Sequence, residues 1–91
     1  MKTGIELIAD ERKRVVNEEG FTPHQDKQYD NDELLQAACV YISTSSKFEL
    51  GVDASWPFDA EWFKPTTRVR NLVKAGQFIA AEIDRLQRLR G

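Results

Sequence analysis

The sequence predicts a small all-α domain of three helices, over about 4–19, 31–43 and 68–90, with long aromatic-rich connectors. Three observations carry this. Apolar residues recur at helical spacing in three windows, capping signals open each window, and the stretches between hold proline, glycine and serine without any period. At 91 residues the chain makes one domain over 1–91, because two halves would each be too small to fold unaided.

The first helix opens on Thr3 and Glu6, a T-x-x-E capping box in which each side chain satisfies a backbone N–H of the other residue. Ile5, Ile8, Ala9, Val15 and Val16 follow at helical spacing, with Arg12, Lys13, Glu18 and Glu19 outward or at the edges. Gly20 suits the C′ position, which it enters in left-handed geometry at little cost. Residues 20–30 then lose the period, and Pro23 stops the helix while Phe21 and Tyr29 mix with His24, Asp26 and Lys27. Asp30 and Glu33 repeat the capping logic ahead of a stripe of Leu34, Leu35, Ala38, Tyr41 and Ile42. Cys39, the single cysteine, lies within that helix and reads as a small packed residue rather than a nucleophile.

From Ser43 to Pro65 no long regular signature returns, and so long a loop is uncommon in a compact domain unless it is functional. It holds Phe48, Trp56, Phe58, Trp62 and Phe63, with a short helical turn expected near residues 59–63 and Asp59 as its cap. The last helix follows Thr66 or Thr67 as cap. Val69, Leu72, Gly76, Ile79, Ile83, Leu86 and Arg90 keep a 3-4-3-4 spacing, the seam of a helix that packs along a partner. Gly76 costs about 1 kcal/mol against alanine there, which a close approach of another backbone or of a ligand would explain. Two shorter helices cannot cover every apolar side of this one, so a homo-oligomer through the C-terminal helix is expected.

Charge is small overall, −2, and uneven, with Lys/Arg concentrated in the last helix. There is no domain-wide basic excess, so nucleic acid is not an expected partner; the basic helix serves one anionic small molecule or pairs with the acidic remainder. No apolar run approaches the ~20 residues of a membrane span and no signal-peptide pattern opens the chain, so a cytoplasmic protein without membrane contact is expected. One histidine and one cysteine exclude a disulfide framework and a multi-cysteine zinc site, and neither a metal nor a cofactor is expected.

Function is carried by the connectors. Trp56-Pro57-Phe58-Asp59 and Trp62-Phe63-Lys64-Pro65 set flat rings beside charges and rigid prolines. Such a set suits a planar base with a phosphate, in which rings stack, cations meet phosphate and a carboxylate meets a polar edge. The same rings can instead staple a long loop onto a small core. Arg68, Arg70 and Lys74 lie in the first two turns of the last helix, where the dipole and unpaired N–H groups also favour an anion; pairing with Asp59, Glu61 or first-helix carboxylates is the alternative. The candidate ligand-binding residues are therefore Phe21, Trp56 and Trp62 for stacking, Lys64, Arg68, Arg70 and Lys74 for phosphates, and His24, Asp26 and Asp59 for polar edges.

Two resemblances add to this. Ala9-Asp-Glu-Arg12, Glu19-Gly-Phe-Thr-Pro-His24, Trp56-Pro-Phe58, Trp62-Phe-Lys-Pro65, Arg70-Asn-Leu-Val-Lys-Ala-Gly76 and Ala81-Glu-Ile-Asp-Arg-Leu86 resemble a family of small phage and prophage proteins over most of the chain. Phe21, Phe58 and Phe63 stand where that family's pattern has tryptophan, which keeps ring stacking and removes an N–H contact. The resemblance implies a phage origin rather than a chemistry. A second, looser one is to the ryanodine-receptor repeat domain, through Arg14, Gly20, Phe21, Asp26, Trp62, Lys64 and Arg70; it implies an all-helical module associated in some members with adenine nucleotides.

The expected function is a phage-type binding protein that captures a nucleotide or nucleotide-derived signalling molecule and so counters host defence, with no catalytic set. One alternative is a Mg²⁺-dependent all-α pyrophosphohydrolase-like enzyme using Glu11, Glu18, Glu19 and Glu33, whose spacing departs from the E-x-x-E of such enzymes. Another is an inhibitor that binds a host protein through the acidic N-terminal part and exposed rings.

Overall fold

The fold, taken from a computed structural model, is described for residues 1–19, 30–45 and 56–90. Helix α1 spans Gly4–Glu18 and starts where the capping box places it. Glu6 N donates to Thr3 Oγ1 (3.2 Å) and Thr3 N donates to Glu6 Oε1 (2.9 Å). Glu19 closes the helix through its N–H to the Val15 carbonyl; Gly20, the expected C′ residue, lies outside the described residues.

Helix α2 spans Glu33–Ser45, two residues later than the Asp30–Glu33 pairing predicts. The expected box does not form, because Glu33 Oε1 accepts from Asn31 N (2.6 Å) instead. Asp32 then takes a φ of 62° and caps with its carbonyl, which accepts from Gln36 N at 2.8 Å. Aspartate is one of the few side chains that tolerate this left-handed region, and a helix begun at residue 31 could not contain it.

A 3₁₀ turn over Ala60–Trp62 follows Asp59, whose carboxylate makes no capping bond; its carbonyl accepts from Trp62 N (3.0 Å). Helix α3 spans Arg68–Arg90. Of the two candidate threonines Thr67 caps it, with Oγ1 accepting from Arg70 N (3.2 Å), while Asn71 Oδ1 reaches back to Thr66 N (2.8 Å).

α3 is the spine, and both other helices pack on it. Leu34, Ala37, Ala38 and Tyr41 of α2, Val15 of α1 and Val73, Ala75 and Ala81 of α3 are buried; Ala38, Tyr41 and Ala75 form one cluster, against which Trp56, Phe63 and Phe78 pack. The buried arc of α3 is otherwise small or polar. Asn71, Gln77, Glu82 and Arg85 all lie within it, Arg85 and Glu82 as a doubly bonded ion pair (2.5 and 3.1 Å). The large apolar residues of the 3-4 seam go to the other side: Val69, Leu72, Ile79, Ile83 and Leu86 are 41–59% exposed. Among the described residues no helix is long and apolar enough to cross a membrane.

The face α1 turns to α3 differs from the predicted stripe. Ile5 is 82% exposed, while Arg12, expected outside, is largely buried, its Nη1 donating to Gln77 Oε1 (3.0 Å) with Asp84 Oδ2 at 3.7 Å from Nη2. The contact row is Ile8, Glu11, Arg12 and Val15, because α1 settles where Ile8 lies over Gly76. A Cβ on Gly76 would stand 2.5 Å from Ile8 Cδ1 and 2.9 Å from Cγ1, which accounts for a glycine inside a long helix. Gly76→Ala should therefore destabilise the fold by about 1 kcal/mol despite alanine's better helix propensity. In an Ile8→Ala background the same change should stabilise by a similar amount. Denaturant unfolding of the four proteins checks this reversal of sign.

Candidate functional site

A small open cleft, enclosing about 30 Å³, lies between the later turns of α1, Tyr41 of α2, the 56–64 connector and the middle of α3. One wall is aromatic. Trp56 stands among Tyr41, Phe58, Phe63 and Phe78 with ring centroids 5.0–6.0 Å away, and Phe58 stacks on Phe78. The Trp56 Nε1–H donates to the Asp59 carbonyl (3.0 Å). Tyr41 ties this connector to α2: its hydroxyl oxygen accepts from Lys64 N (2.9 Å), and burial raises its pKa, so it stays a neutral phenol. Trp62, half-buried at the cleft wall, carries the Lys64 ammonium over its ring at 5.5 Å.

The other wall is ionic and centred on Glu11, whose side chain is only 2% exposed. Arg14 grips it with two bonds, Nε to Oε1 (3.0 Å) and Nη2 to Oε2 (2.7 Å), and Arg70 Nη2 adds a third to Oε1 (2.8 Å). Burial by itself would push the Glu11 carboxyl up; the two guanidiniums outweigh it and hold the pKa below the ordinary value of 4.5. Arg14 also donates to Glu19 Oε1 (2.9 Å) with Glu18 at 3.7 Å. Lys74 lies 5.7 Å over the Tyr41 ring and donates to the Lys64 carbonyl. Burial, with Arg70 and Arg14 nearby, lowers its pKa, against the pull of Glu11. The cleft lining carries Arg14, Lys64 and Lys74 against Glu11 and Glu19, one cation in excess, with Arg14 engaged by both carboxylates and the aromatic wall opposite.

Set against protein-family models, curated proteins and solved structures, the chain matches none.

Of the residues singled out in the sequence, the fold brings Trp56, Trp62, Lys64 and Lys74 together in this cleft. Arg70 stands behind it, bonded to Glu11. Arg68 and Asp59 are exposed and outside its lining. Phe21, His24 and Asp26 lie outside the described residues. The cleft also draws on Tyr41 and Phe78, which their periodicity marks as core, on Arg14, which only the looser resemblance picks out, and on Gln77. The signal for Gln77 is an amide inside an otherwise apolar window of α3.

Among the described residues, three of the four carboxylates that the Mg²⁺ alternative draws on are engaged elsewhere. Glu11 is filled by two arginines, Glu19 is held by Arg14, and Glu33 is turned to the backbone of Asn31. Among the described residues no three acidic, histidine or cysteine side chains converge for a metal.

A carboxyl with a depressed folded pKa contributes stability that is complete above its unfolded value and is lost as pH falls through the folded one. Glu11→Gln should thus cost about 3 kcal/mol at neutral pH and flatten the fall in stability below pH 4.5, the ordinary value. Unfolding midpoints from pH 3 to 7, about the range in which carboxylates titrate, check this. A variant whose acid limb matched the parent's would remove Glu11 from that role.

Proposed function

We propose that the chain is a binding module that captures a nucleotide or nucleotide-derived signalling molecule in this cleft, consistent with the phage-type motifs it resembles and with a role in blunting host signalling. The supporting observation is the convergence of two walls: half-buried Trp62 and packed Trp56 beside Arg14, Lys64 and Lys74, at the mouth of an open cleft. Rings stack a base of any identity at about 1–3 kcal/mol each, and cations at the mouth meet its phosphates.

The expected outcome is nucleotide binding that quenches tryptophan fluorescence and weakens with salt. Trp62→Ala and Lys74→Ala should each lower affinity about tenfold or more, without altering the far-ultraviolet helical signal. Unchanged affinity in both variants would sink the reading.

The exposed seam of α3 favours self-association as part of the same reading. Val69, Leu72, Ile79, Ile83 and Leu86, with Ile5 one turn before Ile8, present on the order of 500 Å² of apolar surface. That is the apolar share of one face of a standard-size complex. Ile8 of α1 covers the stripe at Gly76, so a second copy would meet it on either side of that point, at Val69 and Leu72 and at Ile79, Ile83 and Leu86. Sedimentation should find a dimer or larger species that Ile79→Glu with Ile83→Glu converts to a folded monomer; a monomeric parent at high concentration would leave the stripe to another partner.

A further inference from the structure

Gln77 sits at the depth of the cleft and is only 2% exposed. Its Oε1 accepts from Arg12 Nη1 at 3.0 Å. A guanidinium only donates, so chemistry fixes the carboxamide's orientation, with oxygen toward Arg12. Gln77 lines the cleft and Arg12 does not, so the amide nitrogen is the polar atom left for the cleft. Among the described residues no acceptor meets that nitrogen. A buried NH₂ without an acceptor is the group whose need a ligand would meet.

The consequence concerns which base enters. Glutamine reads adenine by doing two things at once, donating to a ring nitrogen and accepting from the 6-amino group. Gln77 cannot accept, since its oxygen is committed to Arg12. The neighbouring cations on this wall, Arg14 and Lys74, are donors as well, the Glu11 oxygens are occupied, and the other carboxylate of the cleft, Glu19, is held by Arg14. We propose that the cleft selects a 6-oxopurine nucleotide, whose carbonyl oxygen accepts from Gln77 Nε2, over adenine, whose amino group there would set donor against donor. This rests on the nucleotide-capture reading and names its base class. The looser ryanodine-receptor resemblance implies adenine instead, so the two are separable.

The test is calorimetric titration of the parent protein with guanosine, inosine and adenosine 5′-monophosphates. The guanosine and inosine forms, which share the 6-carbonyl, should bind alike and about tenfold tighter than adenosine monophosphate. Gln77→Glu, which keeps the partner for Arg12 and offers the cleft an acceptor, should abolish or invert that preference. Equal affinities, or an adenine preference, would overturn the base assignment while leaving capture intact. Guanosine alone binding well would assign recognition to its 2-amino group and likewise overturn it. Binding of none of the three would overturn the capture reading together with this one. The three-ligand comparison on the parent protein stands even if the Gln77 variant does not fold.

Discussion

The buried carboxylate of Glu11 is the constraint on which the rest of the molecule depends. A charge removed from water must be matched closely, and here two guanidiniums match it, one from its own helix and one from α3. The match fixes the roll of α1: with Glu11 turned to Arg70, Ile8 falls over Gly76 and Arg12 reaches Gln77. It also fixes the electrostatics of the cleft. Glu11 uses its charge on Arg14 and Arg70, so its oxygens offer nothing to a metal, while the wall beside it keeps a cationic balance.

The aromatic connector is held by the same economy of contacts. Tyr41 projects from α2 into the ring cluster, and its hydroxyl oxygen receives the backbone N–H of Lys64. One side chain therefore anchors the loop, supports Lys74 and forms part of the cleft floor. Trp56 has its N–H bonded and four rings around it, and serves as wall. Trp62 stands at the cleft beneath the Lys64 ammonium.

Much of this was legible in the sequence where the physics is local. Thr3 with Glu6 and the threonines before α3 act within one turn, so the helix starts they mark are found where the capping rules put them. The Asp30–Glu33 pairing fails for an equally local reason that a pattern does not carry, since Asp32 adopts a left-handed conformation and shifts the start of α2. Facing was less legible. An apolar stripe marks a face that avoids water, yet α3 turns small and polar residues inward and leaves Val69, Ile79 and Ile83 outside, because Glu82 pairs with Arg85, Asn71 meets the Thr66 N–H and the Gln77 oxygen meets Arg12. Arg12 with Gln77, 65 residues apart, and Arg70 with Glu11, 59 apart, are contacts that no spacing rule anticipates. The choice of Trp56, Trp62, Lys64 and Lys74 rested on composition, rings next to cations, and composition cannot say that Arg14 and Gln77 complete the wall.

Native mass spectrometry of the purified protein tests the central claim of capture most directly. A complex carrying a few hundred daltons of nucleotide per subunit, released intact and chemically unaltered on mild denaturation, is the predicted result. A bare chain that stays bare when incubated with a nucleotide pool would contradict it.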